Sequence, residues 1–157
     1  MSRRVVKLKP SDSIFKAAKA FSKRKISGAP VIDSERTKRV IGVVSESDII
    51  KFMGTKICNT KALVGGYTYQ SMWLLLLHAL RTGKNHLGFK KELGRISKIK
   101  IKDVMSKRVV SVKPDASIFD AAEKMDEHDI NRLPVVDSKG TLIGIIARAD
   151  LIKALCD

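Results

Sequence analysis

The chain of 157 residues contains one segment twice, and this repeat constrains the fold more than any other feature of the sequence. Residues 10–34, PSDSIFKAAKAFSKRKISGAPVIDS, align with residues 114–138, PDASIFDAAEKMDEHDINRLPVVDS, and 11 of the 25 positions are identical. Farther along, VIGVVSESDIIK at 40–51 aligns with LIGIIARADLIK at 142–153. An ordered match of this length predicts two copies of one supersecondary unit.

The second copy shows the order of elements most clearly. RVVSVKP predicts a short strand, and SIFDAAEKMDEHD has apolar residues at helical spacing, with Ser117 as the N-cap. LPVVD and TLIGIIA predict two further strands around a turn, and ADLIKAL predicts a second helix. One β-α-β-β-α unit of roughly fifty residues buries too little surface to be stable alone. We therefore expect an α+β fold in which two units pack sheet to sheet with pseudo-twofold symmetry.

These boundaries predict a first repeat at 1–54, an insertion at 55–102 and a second repeat at 103–157. The insertion is expected to be partly helical, because TYQSMWLLLLHALR at 68–81 is apolar nearly all round as a helix. Such a helix is buried in the fold or in a subunit interface, or it docks on a membrane or an acidic partner. Its apolar run, MWLLLLHAL, is too short to span a membrane.

The net charge of +15 is unevenly distributed along the chain. Residues 1–25 contain nine basic residues and one acid, whereas residues 114–157 contain five basic and nine acidic residues. Residues 81–113 contain eleven basic residues and two acids. This surplus indicates an anionic partner, such as a nucleotide, a nucleic acid or a membrane surface, or else a surface adapted for solubility. Few aromatic residues are present to stack on bases, which weakens the nucleic-acid interpretation.

The repeated motifs resemble those of the cystathionine-β-synthase (CBS) domain, whose tandem pairs are called Bateman modules. The motif Ile-x-x-x-Pro-Val-x-Asp occurs at 26–33 and 130–137. An Ile-Gly segment followed by Asp-apolar-Ile occurs at 41–50 and 143–152, and DVM at 103–105 is a further mark of the family. The resemblance implies a regulatory sensor, not an enzyme, that binds AMP, ADP, ATP or S-adenosylmethionine in clefts between the repeats. Such a sensor requires no cofactor. The resemblance also implies a homodimer and is compatible with a separately encoded protein target.

The resemblance also implies which residues contact the ligand. Asp48 and Asp150 would hold the ribose hydroxyls, helped by Ser45 in the first repeat, while Ala147 replaces that hydroxyl in the second. The adenine pocket would be formed mainly by backbone groups near the strand prolines: Ile26, Ser27, Gly28, Ala29, Pro30, Ile130, Asn131, Arg132, Leu133 and Pro134. Asp48 would then face Met105, Val110, Ile130 and Asn131, and Asp150 would face Val6, Ile26, Ser27 and Gly28. Ser47 and Arg148, beside the two aspartates, complete the predicted ligand-binding residues.

Elementary chemistry supports these roles and also leaves alternatives. A carboxylate accepts two hydrogen bonds from a ribose diol, and an arginine binds phosphate with two parallel hydrogen bonds. Equally, Asp48 and Asp150 fit helix N-caps, and Arg132 fits a surface ion pair with Asp129. A nucleic-acid-binding protein that uses the CBS pair as a scaffold remains the alternative function.

The remaining motifs favour neither catalysis nor metal binding. The three histidines have no carboxylate or cysteine at ligand spacing, and the glycines of VGGYT at 64–68 lack the lysine of a phosphate-binding loop. Cys58 and Cys156 are far apart, which fits a reducing compartment. The basic N-terminus has no apolar core of a signal peptide, so we expect a cytoplasmic protein.

Overall fold

The computed structural model describes residues 5–56, 94 and 96–156 of the chain. From the first helix of each repeat onward, the described helices and strands follow the predicted order. They are α1 (Ile14–Arg24), β1 (Gly28–Ile32), β2 (Val40–Ser45), α2 (Glu46–Lys56), α3 (Ile101–Val104), α4 (Ile118–Glu127), β3 (Arg132–Val136), β4 (Leu142–Ala147) and α5 (Arg148–Ala154). The helix predicted within 68–81 and the glycines of 64–68 lie outside the described residues.

The described chain forms two compact units, and each draws on both repeats. One unit contains residues 5–10, 29–43 and 106–156, and the other contains residues 11–28, 44–56 and 96–105. Within the first unit a core cluster comprises Val112, Ala121, Met125, Leu133 and Val135. In the other unit the fully buried side chains belong to α1, the end of β2, α2, α3 and the segment before α3: Ile14, Ala17, Ala18, Phe21, Val44, Ile49, Ile96 and Ile101.

The first helix of each repeat begins at the serine that the sequence predicts. Ser13 precedes α1 and its side chain accepts a hydrogen bond from the backbone N–H of Lys16, at 3.3 Å. Ser117 precedes α4 and accepts from the N–H of Asp120 at 3.0 Å, while the Asp120 carboxylate accepts from the N–H of Ser117 at 3.0 Å. This reciprocal pair is a capping box, which supplies partners for N–H groups that a helix start leaves unpaired.

Each repeat contributes a two-stranded sheet. β3 and β4 are antiparallel, with Arg132 opposite Ala147 and Leu133 opposite Ile146, and the register shifts between Val135 and Val136. The turn between them is organised by Asp137, whose Oδ1 accepts from the N–H groups of Lys139 and Thr141 at 2.9 and 2.8 Å. The backbone hydrogen bond from Thr141 is the largest cause that lowers the pKa of Asp137 below its usual value.

The equivalent turn between β1 and β2 is organised by Asp33. Its Oδ1 accepts from the Thr37 hydroxyl and from the backbone N–H of Arg39, the latter at 3.0 Å. The Thr37 hydrogen bond is the largest cause that lowers the pKa of Asp33. The final aspartate of the Pro-Val-x-Asp motif is therefore a turn residue in both repeats.

The segments expected as the first strand of each repeat differ from the prediction, because each forms a single-residue bridge. Leu8 lies parallel to Val31, and Val112 lies parallel to Val135. Val112 donates its N–H to the Pro134 carbonyl at 3.1 Å and accepts from the N–H of Val136 at 3.0 Å. The proline that follows two residues later has no N–H, so it cannot extend the ladder of hydrogen bonds.

The segment leading into the second repeat pairs with residues of the first. Ile14 donates its N–H to the carbonyl of Ile99 at 3.3 Å, and Ile101 donates to the carbonyl of Asp12 at 2.8 Å. Slightly later, Ser106 and Val43 exchange two backbone hydrogen bonds of 2.9 and 3.0 Å. The DVM motif lies here, and Asp103 accepts from the N–H of Lys100 at the start of α3. Among the described helices none has the length and apolar character needed to cross a membrane.

Candidate functional site

The N-terminal end of β1, which we call its mouth, lies against the end of β2 and the start of α2. We call this arrangement the first corner. The carbonyl of Ser27 accepts a hydrogen bond of 2.9 Å from the N–H of Glu46, the first residue of α2. Gly28 is buried, and a Cβ at this position would lie 2.9 Å from the carbonyl oxygen of Val44 and 3.3 Å from the Cα of Ser45. Only glycine fits at this distance without a shift of the backbone.

Ser45 and Asp48 form a reciprocal hydrogen-bonded pair at the first corner. Oδ2 of Asp48 accepts from the backbone N–H of Ser45 at 2.8 Å and from its hydroxyl at 2.6 Å. Oγ of Ser45 in turn accepts from the N–H of Asp48 at 3.2 Å. Both residues are half-buried. Within the described residues, no hydrogen bond engages the other carboxylate oxygen, Oδ1.

The second corner has the same backbone connection but different side chains. The carbonyl of Asn131 accepts from the N–H of Arg148, the first residue of α5, at 3.1 Å. Oδ2 of Asp150 accepts from the N–H of Ala147 at 2.9 Å. Because the methyl group of Ala147 cannot donate or accept, the hydroxyl bond present at the first corner has no counterpart here.

Two arginines lie at the second corner. Arg132 is half-buried at the first position of β3, where the first repeat has Gly28. Arg148 is exposed, and its Nη2 lies 4.0 Å from Oδ1 of Asp129. Asp129, which the sequence suggested as a partner of Arg132, therefore lies at ion-pair distance from Arg148. No sequence pattern indicates the pair of Asp129 and Arg148, since the two residues are close only because α5 starts beside the mouth of β3.

The remaining predicted ligand-binding residues differ in whether the side chain or only the backbone is accessible to a ligand. Ala29, Pro30, Leu133 and Pro134 are buried strand residues, so their side chains belong to the core and only their backbone can meet a ligand. Ile26 and Ile130 are half-buried and donate their N–H groups to the final turns of α1 and α4, at 3.1 and 2.9 Å. Val6, Met105 and Val110 are half-buried, whereas Ser47 and Asn131 are exposed.

The structure thus brings the predicted residues together at two corners. Ser27, Gly28, Ser45 and Asp48 meet at the first, and Asn131, Arg132, Arg148 and Asp150 meet at the second. The predicted facing of Asp48 toward Met105, Val110, Ile130 and Asn131 stays a prediction. The same holds for Asp150 with Val6, Ile26, Ser27 and Gly28.

The structure corrects the N-cap interpretation of the two aspartates, because each is the third residue of its helix and not the residue that precedes it. Asp48 and Asp150 accept hydrogen bonds from the residue that precedes each helix, as Asp120 does in α4. A cap and a ligand contact are compatible, because a carboxylate has two oxygens and about four lone-pair positions. No sequence pattern indicated that the carbonyl groups of Ser27 and Asn131 would join each strand to the following helix.

A carboxylate held in one orientation, beside a strand mouth, can accept hydrogen bonds from vicinal hydroxyls. The described residues contain no group of three or more histidine, cysteine or acidic side chains that could hold a metal ion. Cys156 is a free, exposed thiol.

Comparison with known protein families identifies the CBS domain at residues 1–55 and at residues 101–157. Protein MJ1426 of Methanocaldococcus jannaschii is 41% identical over 135 residues, which are 86% of this chain and 76% of that protein. This chain spans 35% and 47% of the length of two further relatives from the same organism.

Solved structures show the same architecture. The crystal structure of CBSX2 in complex with AMP matches with a TM-score of 0.65 and 25% identity, over 99% of this chain and 92% of that one. The CBS domain pair of protein MJ0100, in complex with 5′-methylthioadenosine and S-adenosyl-L-methionine, matches with a TM-score of 0.64 and 21% identity, over 99% and 91% of the two chains. The predicted α+β class and the CBS-pair fold are confirmed.

Proposed function

Because this chain belongs to the CBS-domain family, we propose that it is a regulatory module that binds an adenosine-containing ligand and transmits a conformational change to a partner. The candidate ligands are AMP, ADP, ATP and S-adenosylmethionine. Residues 1–54 and 103–157 form the two ligand-binding repeats in this proposal, and no residue is assigned a catalytic role.

The observation that carries the proposal is the Ser45–Asp48 pair at the first corner. Two hydrogen bonds from Ser45, of 2.6 and 2.8 Å, fix Oδ2 of the Asp48 carboxylate. Oδ1 is then available to accept hydrogen bonds from the hydroxyls of a ribose. Because Ser45 sets the orientation before a ligand arrives, less conformational entropy is lost on binding.

The second corner offers different chemistry to the same class of ligand. Asp150 accepts a backbone hydrogen bond from Ala147, and the second corner lacks the serine hydroxyl of the first. Arg132 and Arg148 lie beside it, and guanidinium groups bind phosphate oxygens with two parallel hydrogen bonds. We therefore assign the tighter ribose contact to Asp48 and a phosphate contact to Arg132 and Arg148.

Two known complexes support the ligand class. CBSX2, at 25% identity, has been crystallised with AMP. The CBS domain pair of MJ0100 has the same fold and was crystallised with S-adenosyl-L-methionine. A ligand of this class regulates a partner only when it binds two conformations of the module with different affinities.

Calorimetric titration with AMP, ATP and S-adenosylmethionine tests the proposal. The proteins are the parent, Asp48→Asn, Asp150→Asn and Asp120→Asn, each at low and high salt. Asp120 is the matched control, because it caps α4 through the same Ser-x-x-Asp pair but does not lie at a corner. We expect saturable binding that persists at high salt, that Asp48→Asn weakens at least about tenfold, and that Asp120→Asn leaves unchanged.

Binding that disappears at high salt, or that responds equally to all three substitutions, would contradict the proposal. The first result would indicate nonspecific attraction to the basic surface. The second would indicate that the substitutions act only through helix stability. Arg132→Lys adds a second criterion, because it keeps the charge and loses the paired geometry, so it should weaken ATP binding more than S-adenosylmethionine binding.

The alternative is a nucleic-acid-binding protein, and one observation favours it. The exposed basic residues of α1 and its C-terminal cap have no acidic residue among them: Lys16, Lys19, Lys23, Arg24 and Lys25. Affinity for a nucleic acid that falls steeply as salt rises, with no saturable nucleotide binding, would support this function.

A further inference from the structure

Each corner has one charged residue just after the first helix of its repeat and another at the start of the second helix. Lys25 lies just after α1 and Asp129 just after α4, and both adopt the left-handed conformation, with φ angles of 52° and 48°. Glu46 begins α2 and Arg148 begins α5, and each donates its N–H to the carbonyl at the strand mouth. The two positions therefore have the same backbone arrangement at both corners.

The charges at these two positions are exchanged between the corners. The first corner has Lys25 and then Glu46, whereas the second corner has Asp129 and then Arg148. At the second corner the two charged groups are close, because Nη2 of Arg148 lies 4.0 Å from Oδ1 of Asp129. The acid beside Arg148 thus has no counterpart at the first corner, where the equivalent residue is basic.

The contact between Asp129 and Arg148 is loose and open to solvent. A separation of 4.0 Å is too long for a hydrogen bond, so the attraction is between the charges alone. The Arg148 side chain is 53% exposed and that of Asp129 is fully exposed, and ion pairs in such surroundings are weak. A phosphate that accepts two parallel hydrogen bonds from the guanidinium would make the stronger contact and displace the aspartate.

We propose that Asp129 is a positioning residue that competes with a ligand's phosphate for Arg148. It thereby lowers the affinity of the second corner for phosphate-bearing adenosine ligands relative to uncharged ones. This inference rests on the proposed function, since it requires an adenosine-containing ligand at the second corner. At the first corner the second helix begins with Glu46, so Lys25 has no arginine at that position to compete for.

Asp129→Asn, Arg148→Gln and the protein with both changes form a double-mutant cycle that tests the competition. Asparagine nearly preserves the size of the side chain and tolerates the left-handed conformation, so the backbone after α4 is kept. Glu123→Gln is the matched control, because it also removes one negative charge from an exposed position, more than one helical turn before Asp129. Calorimetry at low salt measures the binding of AMP and of 5′-methylthioadenosine, which has no phosphate.

We expect Asp129→Asn to bind AMP about three- to fivefold more tightly than the parent, which is the upper range for an exposed ion pair. In the Arg148→Gln background the same change should have less than about a twofold effect, because no guanidinium remains to be released. Its affinity for 5′-methylthioadenosine should equal that of the parent. Glu123→Gln should match the parent with both ligands.

Four results would overturn the inference. The first is an AMP affinity that Asp129→Asn leaves unchanged, and the second is an equal gain in Glu123→Gln, which would indicate the general surface charge. The third is an equal gain with and without Arg148, which would indicate direct repulsion of the phosphate and no competition for the arginine. The fourth is an equal gain for AMP and 5′-methylthioadenosine, which would indicate a structural change at the mouth of β3.

Failure of the proposed function would give a different result from failure of this inference. A parent protein that binds neither ligand refutes the proposed function, and the role of Asp129 falls with it. A parent that binds both ligands saturably, with no coupling between Asp129 and Arg148 in the AMP cycle, leaves the proposed function in place and refutes only the competition.

Discussion

Gly28→Ala tests the close approach that forms the first corner. The added Cβ would lie 2.9 Å from the carbonyl oxygen of Val44, so the strand or its neighbour must shift. Overpacking of this kind costs about 1–3 kcal/mol. Part of this is offset, because the φ angle of Gly28 is not in the left-handed region and alanine restricts the unfolded chain, a gain of about 0.4–1 kcal/mol. We expect a net loss of about 1–2 kcal/mol in the free energy of unfolding.

Urea denaturation followed by circular dichroism measures this loss. With a denaturant dependence of about 2 kcal/mol per molar, the midpoint should fall by about 0.5–1 M. Gly94→Ala is the matched control, because a Cβ there meets no atom within 4 Å and alanine favours the helix. Its midpoint should equal or exceed that of the parent. A Gly28→Ala protein as stable as the parent would refute the close packing of β1 against β2.

Two further predictions concern the second repeat. Leu133→Ala should lower the free energy of unfolding by about 2–5 kcal/mol in the same urea experiment, because Leu133 has no exposed surface and lies in the core cluster. A smaller loss would mean that this core is loosely packed. The pKa of Asp137 is lower in the folded protein than in the unfolded chain, so its ionised carboxylate stabilises the fold at any pH above the ordinary carboxyl pKa. This stabilisation is lost as the pH falls through the lowered pKa, because the unfolded state takes up its proton first. Asp137→Asn should therefore have a lower melting temperature than the parent at pH 6, and the difference should shrink toward about pH 3. A constant difference across this range would rule out the charge of Asp137 as the cause.

The local elements could be predicted from the sequence because each is determined by neighbouring residues. Helices α1 and α4 begin at serines whose side chains meet an N–H three residues later, which is a contact within one turn. The strands around Pro30 and Pro134 are short apolar runs that end at an aspartate suited to a turn. The repeat strengthened each assignment, since the same pattern had to fold in the same way twice.

The pairing of distant segments could not be predicted in the same way. Residues 99–106 hydrogen-bond to residues 12–14 and to Val43. No local sequence pattern determines which distant segment pairs with these residues. The strand expected at 108–114 became a single bridge because its ladder depends on β3 and ends before Pro114. A β-propensity calculation cannot supply this information, since it does not include the partner.

In the candidate site, too, contacts between neighbouring residues could be predicted and contacts between distant residues could not. Ser45 and Asp48 are three residues apart at a helix start, so the sequence sufficed to bring them together. The role of the Ser27 and Asn131 carbonyl groups is apparent only in the structure. Every residue has the same backbone carbonyl, so the residue type does not indicate which carbonyl accepts a hydrogen bond from a helix start. The pairing of Asp129 with Arg148 likewise depends on the fold, which places the start of α5 beside the mouth of β3.

The path of residues 99–106 has a consequence for how the polypeptide can be divided. These residues follow the insertion, yet they supply hydrogen-bond partners for Asp12, Ile14 and Val43 of the first repeat. A cut anywhere within residues 57–93 would convert these bonds from intramolecular to intermolecular without removing any of them. The two pieces should therefore complement each other on mixing, as the halves of a split reporter do, whereas residues 1–56 expressed alone would lack part of their own fold.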